Sequence, residues 1–369
     1  MFRVLHLKGT LSSDGATAVE YGFAQELSPE IVFDWLMEEE PGAAWRERFE
    51  ATGSRFFRID YPRSGKKKVL LKYRAYRDFF REHPYEVIHI DTDGFHRTVE
   101  LFAAKRAGIR KRILHAHNTE AEVAGRLGGS GFSRRLGQWL YTMLATDCLA
   151  CSDKAGEWLF GSGGRKPVTL LKNGIDVERF RFDAQKREQI RHQLGLEGKK
   201  VIGHVGRFEK QKNHRLLLSV FRILNERDPD CRLLLIGDGS LRQEIMEEAR
   251  RTQLDHAILF TGNIDHVEAY YQAMDVFLLP SLHEGLALVA VEAQCSGLPC
   301  LMADTVSPQT KLTDACSFLS LDGGPEPWAE KAAEMLRTPR ERETGAWEVT
   351  EAGYDIRSSA EKLREIYRG

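Results

Sequence analysis

Short apolar runs recur along the chain, each closed by Gly or a charged residue and followed by a stretch with helical spacing. RVLHLK near residue 4, EVIHID near 88, KRILHAHN near 114 and DCLACS near 149 predict one series of strands. KVIGHVGR near 203, RLLLIGDG near 235, AILFTGN near 259, DVFLLPS near 278 and PCLMAD near 301 predict a second. NHRLLLSVFRILNER and SLRQEIMEEARR, lying between them, repeat apolar residues at helical period. Strands that are apolar throughout, alternating with helices, belong to parallel sheets covered on both faces. The expected fold class is therefore α/β with two Rossmann-like domains. Residues 172–200, with an Asn-Gly pair and dense charge, place the division between a domain over 1–172 and one over 173–351. Residues 352–369 read as a helical tail. Ligands of open α/β sheets sit beyond the carboxyl ends of the strands, so two such domains facing each other would line a cleft with glycine-rich strand ends.

Composition narrows the classes. A chain of 369 residues suits two domains of ordinary size, and 29% charged with 42% hydrophobic residues is a soluble globular mix. Lys+Arg 53 against Asp+Glu 54 gives no basic excess, which argues against nucleic acid as a partner. The start MFRVLHLKGT lacks the apolar core of a signal peptide. The apolar run from Gly285 to Ala303 is interrupted by Glu292, Gln294 and Pro299, so a spanning helix is not expected. Six dispersed cysteines make no disulfide framework, and Cys148 and Cys151 of CLAC read as structural. The expected location is cytoplasmic.

The chemistry concentrates in HEGLALVAVEAQCSGLP. Glu284 and Glu292 stand eight positions apart in an otherwise apolar stretch. On a helix beginning near Gly285 or Leu286 that spacing spans about 12 Å, the reach of a nucleotide diphosphate sugar from ribose to sugar ring. The amides of Gly285, Leu286 and Ala287 would lie between the two carboxylates, and a helix N-terminus is a natural seat for phosphate. Hydroxyls of ribose and sugar would satisfy both acids. Taken alone, the pair reads sooner as a dipole-facing Glu and a solvated one. Upstream, GHVGRFEKQKNH sets Gly206, Arg207 and Lys212 at a strand exit, two cations suited to a diphosphate. Gly237 and Gly239 in IGDGSL permit close backbone approach to a ligand, but without the spacing of a dinucleotide fingerprint. Asp91-Thr92-Asp93 carries the D-x-D pattern used elsewhere to hold a divalent metal. With Arg207 and Lys212 available for the phosphates, no metal or other cofactor is expected.

Taken together, RVLHLKGTLSSDGA, HAHNTE, LKNGIDVERF, GHVGRFEKQKNH, IGDGSL, FTGN and LPSLHEGLALVAVEAQCSGLPC resemble the family-4 retaining glycosyltransferases of GT-B architecture, near those that assemble capsular or exopolysaccharides. The resemblance covers nearly the whole chain. It implies that Arg207 and Lys212 hold the donor diphosphate, Glu284 meets the sugar and Glu292 the ribose. It also implies that Asn263 and Ile264 lie beside the base, Gly15 closes over the phosphate, and His117 sits near sugar and acceptor; His115, and with it His117, can also be read as core histidines at a strand end. By the same resemblance the tail crosses back onto the first domain. Departing from the family's paired glycines, the first loop reads Ser13-Asp14-Gly15-Ala16-Thr17. The implied activity is transfer of a sugar, with retention, from a nucleotide sugar (UDP by family frequency) to a glycan or lipid-linked acceptor. Basic and aromatic runs at RSGKKK, KYRAYRDFFR and GFSRRLGQWLYTML suggest peripheral contact with anionic membrane. A nucleotide-sugar epimerase, a phosphorylase and a non-catalytic carbohydrate-binding subunit stay open as alternatives, with an NAD-dependent oxidoreductase the weakest.

Overall fold

The computed structural model describes the chain apart from residues 12–14, 93, 118–130, 163–165 and 339, and apart from the side chains of 131 and 132. It divides into two compact units, one of Met1–Gly174 with Ile356–Gly369, the other of Ile175–Asp355.

The first unit holds a seven-stranded sheet in the order β3-β2-β1-β4-β5-β6-β7, where β1 is Phe2–Lys8, β2 Ile31–Met37, β3 Phe56–Arg58, β4 Val87–Thr92, β5 Lys111–Ala116, β6 Asp147–Ala150 and β7 Val168–Leu170. Every pairing is parallel. β4 is buried along its whole length, the signature of a strand with helices on both faces. Strand order reverses between β1 and β4, which opens a crevice at their carboxyl ends. The helix Ile356–Arg368 closes this unit. Ile356, Ser359, Ala360, Leu363 and Tyr367 make its buried stripe. Gly22 of the helix Gly15–Leu27 lets it approach closely, since a Cβ there would stand 3.2 Å from Ile356.

The second unit repeats the plan with six parallel strands in the order β10-β9-β8-β11-β12-β13. Here β8 is Lys200–Val205, β9 Cys231–Ile236, β10 Ile258–Gly262, β11 Val276–Leu279, β12 Cys300–Ala303 and β13 Cys316–Leu319. Its order reverses between β8 and β11. The nine strands read from the apolar runs are all present, and β2, β3, β7 and β13 are additional. β2 escapes pattern reading because buried Asp34 sits in its middle, where it accepts from Arg3 at 2.6 Å, Arg55 at 2.7 Å and the Tyr85 hydroxyl at 2.7 Å. Among the described residues, no helix is long and apolar enough to cross a membrane.

Candidate active site

In the second unit the site grows from the switch point. β8 ends at Val205, and Gly206, Arg207 and Phe208 follow. The exits of β8, β9 and β10 are stitched together: Gly206 N–H donates to Ile236 at 3.0 Å, Phe208 N–H to Asp238 at 2.9 Å, and Gly237 N–H to Gly262 at 3.0 Å. Gly237 has φ +131, and a Cβ there would stand 2.2 Å from the Gly206 carbonyl oxygen. At Gly239, with φ +157, it would stand 2.7 Å from the Phe208 nitrogen. These two glycines therefore admit neighbouring backbone at close range. The Phe208 ring is buried and stacks on His214 at 4.0 Å, anchoring the loop below Arg207.

Past Phe208 a short 3-10 turn, Lys210–Lys212, ends on Asn213 in the left-handed region with φ 55. Asn tolerates that region better than most residues. The turn is tied to the loop after β11: Leu282 N–H donates to the Gln211 carbonyl at 2.8 Å, and Gln211 Nε2 to the His283 carbonyl at 2.9 Å. Lys212 Nζ consequently meets Glu284 Oε1 at 2.5 Å, with the two side chains 14% and 11% exposed. A Cβ on Gly206 would crowd the Lys212 stem at 3.1 Å, so Gly206 leaves room for that lysine. Arg207 is exposed, and its side chain makes no ion pair among the described residues.

Glu284 lies in a loop bridged to Val306, and its carbonyl accepts from Ser307 N–H at 3.1 Å. The helix begins only at Leu288 and runs to Cys295, later than the start at Gly285 or Leu286 expected from sequence. Long-range bonds hold the intervening segment out of the helix. Thr310 Oγ1 contacts Gly285 O and Ala287 N, both at 3.5 Å. Buried Gln294 donates to Thr310 O at 2.8 Å and accepts from Leu312 and Thr313 N–H at 2.8 and 3.0 Å. Gln294 and Thr310 are supports that sequence reasoning missed. The available signal was Gln294 as a lone amide in the apolar run from Gly285 to Ala303. The amides of Gly285 and Leu286 find no acceptor among the described residues.

Glu292 lies in the second turn of that helix. It is half-buried and accepts from the Tyr271 hydroxyl at 2.8 Å. Burial pushes its carboxyl up to about 7, partly opposed by that hydrogen bond. Asn263 is exposed just past β10, and Ile264 packs half-buried on the core. The structure thus joins Lys212 to Glu284 directly. Gly206, Arg207, Asn263, Ile264, Gly285, Leu286, Ala287 and Glu292 stand in the same unit, at or beyond the carboxyl ends of β8, β10 and β11.

Gly15 and His117 belong to the first unit. Gly15 is exposed and opens the helix after β1, while Ser13 and Asp14 lie outside the described residues. His117 follows β5 and donates through Nε2 to Asp91 Oδ1 at 2.7 Å. The D-x-D reading of Asp91 does not hold as a surface motif: Asp91 is buried at the end of β4 among His6, His89, His115 and His117, and Asp93 lies outside the described residues. Burial holds His6, His89 and His115 below the usual imidazole range. Cys148 is buried, its thiol pushed up to about 11, and the Cys151 thiol contacts the His117 carbonyl at 3.3 Å, in keeping with structural roles.

Comparison with known proteins adds the family context. The family model described as glycosyl transferases group 1 matches residues 186–345. EpsF of Bacillus subtilis (strain 168), a protein named as a glycosyltransferase, is 34% identical over 379 residues, covering 99% of this chain and 96% of its own. The capsular polysaccharide biosynthesis glycosyltransferase CapM of Staphylococcus aureus is 30% identical over 209 residues, 54% of either chain. Among solved structures, Anabaena HepE in complex with UDP and glucose superposes with a TM-score of 0.78 at 18% identity over the full length of both chains. WaaG, a glycosyltransferase involved in lipopolysaccharide biosynthesis, gives 0.69 at 16% identity, over 98% of this chain and 99% of its own. At those identities the likeness speaks for the two-domain GT-B fold.

Proposed function

The chain belongs to the group 1 glycosyl transferases, and from that premise we propose that it transfers a sugar with retention from a UDP-sugar to a glycan or lipid-linked acceptor in polysaccharide assembly. The observation that carries this reading is the Lys212–Glu284 pair beside the unbonded amides of Gly285 and Leu286, at the point where strand order reverses. A diphosphate seated on those amides takes the charge of Lys212 and the guanidinium of Arg207. Both cations then neutralise the oxygen that gains negative charge as the sugar–phosphate bond breaks. Glu284, released from Lys212, accepts from sugar hydroxyls, and Glu292 from the ribose. Asn263 and Ile264 flank the base. In the first unit the ring of His117 is fixed by Asp91.

The acceptor attacks on the face the leaving group departs from, without a covalent sugar–enzyme intermediate. Fixed cations replace a divalent ion at the diphosphate, so no metal enters this chemistry. HepE with bound UDP supports the choice of base, and CapM the polysaccharide product. The location is the cytoplasmic membrane face. The helices Lys68–Glu82, Thr98–Arg106 and Gly131–Leu144 pack side by side and expose Leu70, Phe102, Leu136, Trp139 and Met143, which supports contact of this face with anionic lipid.

Calorimetry against a panel of nucleotide diphosphates and their sugars, with and without magnesium or manganese, tests the donor. UDP binding that is equally tight in either case is expected. Affinity for another base alone, or binding that requires the metal, would overturn that part. The anomeric configuration of the product, read by NMR, decides retention.

A further inference from the structure

The polar cluster at the carboxyl ends of β1, β4 and β5 is only partly used by the site above. Parallel register sets His6 beside His89 and Asp91 beside His115, so side chains from three strands converge on one buried point. His89 Nε2 and His115 Nδ1 are 3.2 Å apart. Asp91 Oδ1 lies 3.7 Å from the first and 3.6 Å from the second. A tetrahedral zinc ion with bonds of about 2.0–2.2 Å to nitrogen and oxygen has ligand–ligand edges of about 3.3–3.5 Å, close to this triangle.

We propose that His89 Nε2, His115 Nδ1 and Asp91 Oδ1 form a three-ligand site for a divalent transition cation of the zinc class. The surrounding hydrogen bonds supply the outer support such a site requires. With Nε2 on the metal, His89 keeps its proton on Nδ1 and donates it to the Tyr367 oxygen at 2.7 Å. Tyr367 in turn donates to His6 Nε2 at 3.2 Å. His6 then carries its proton on Nδ1, which faces Asp91 Oδ2 at 3.9 Å. On the other side His117 Nε2 donates to Asp91 Oδ1 at 2.7 Å and fixes the carboxylate. One chain of donors therefore assigns the tautomers of His6, His89 and His117 and leaves His89 Nε2 as an acceptor, while the proposal puts the His115 proton on Nε2, which has no hydrogen-bond partner among the described residues.

Asp91 Oδ2, His6 Nδ1 and His115 Nε2, none of them a ligand atom of the proposed site, are buried with no hydrogen-bond partner among the described residues, so the polar groups of the cluster are incompletely satisfied. Lys8, on the same strand as His6, donates to Glu20 at 2.5 Å. Of the four imidazoles around it, only that of His117 meets Asp91 at hydrogen-bonding distance, so the buried carboxylate gains from a cation held at its Oδ1. Two imidazoles and one carboxylate suit zinc, cobalt, nickel or iron, and exclude the oxygen-only coordination that magnesium and calcium prefer.

The untagged full chain, stripped with a chelator and desalted, is titrated with Co²⁺ and then Zn²⁺. One Co²⁺ per chain should bind with the visible absorption of a low-symmetry nitrogen–oxygen site, be displaced by Zn²⁺, and raise the melting temperature by several degrees. His115→Gln and Asp91→Asn should each abolish the uptake and the shift. Failure of the wild type to take up either ion, or equal uptake by both variants, would overturn the site. X-ray absorption on the zinc-loaded wild type answers even where a variant fails to fold. Two imidazoles in the metal shell are expected, and a shell without imidazole refutes the proposal. None of these readouts depends on the sugar-transfer reading.

Discussion

Lys212 and Glu284 are asked to do two things, and replacing the lysine separates them. The pair is short at 2.5 Å, with side chains only 14% and 11% exposed, so Lys212→Met strands a carboxylate in a poorly solvated place. Removing one member of a fully buried pair costs about 3–5 kcal/mol, and the remaining exposure here brings the expected loss to about 2 kcal/mol. For a domain of this size that is a fall of about 4–8 °C in melting temperature. Adding Glu284→Gln removes the stranded charge, so the double variant should regain most of the lost stability. Turnover should behave differently. A donor that stabilises charge developing in the transition state is worth about 10²–10³ in rate, and neither variant has one at position 212. Denaturant melts alongside kcat/KM on the same preparations give both readouts. A single variant as stable as wild type would refute the ion-pair energetics. A double variant that recovers turnover would refute the catalytic role of the lysine.

Three further outcomes are expected. Gly237→Ala, whose new methyl would meet the Gly206 carbonyl, should cost more than about 3 kcal/mol, while Gly262→Ala, with open space at φ +73, should cost about 1 kcal/mol; equal losses in denaturant melts would contradict the backbone-packing account. Glu292, with its carboxyl near 7 instead of 4.5, is about half protonated at pH 7, and a ribose hydroxyl donating to it favours the ionised form. UDP binding at that pH should therefore release about half a proton, seen as a dependence of binding enthalpy on buffer, and Glu292→Gln should abolish it; a buffer-independent enthalpy in the wild type would refute this. The sign for stability is opposite to that of a salt-bridged acid: a raised carboxyl destabilises the fold as pH climbs from 4.5 to about 7. Trp139→Ala with Leu136→Ala should reduce co-sedimentation with vesicles rich in anionic lipid several-fold, and unchanged partitioning would count against membrane contact.

The central strands were legible because both their faces are covered, which makes β4, β5, β8, β9 and β11 nearly continuous apolar runs. The edge strands β3, β7 and β13 were not, since they are short and half-exposed and carry no such run. Residue type and spacing were enough to single out Lys212 and Glu284, but not to show that they pair, because the contact depends on the Gln211 bonds that join two distant loops. The helix start was misjudged for a similar reason. Leu286 and Ala287 have good helical propensity, and Thr310, more than twenty positions away, overrides it. Of the imidazole cluster, His115 and His117 were singled out from sequence, but their convergence with His6 and His89 was not, being a product of register between β1, β4 and β5.

The closing helix of the first unit carries a consequence for biosynthesis. Tyr367 is fully buried there and bonds to His89 and His6, yet it leaves the ribosome after the whole of residues 175–355. The half of the molecule translated first is thus the last able to complete its interior. Until then its β1–β4 switch point lacks its cover, and a nascent chain stalled before residue 356 would present a finished second half beside an unsealed first one.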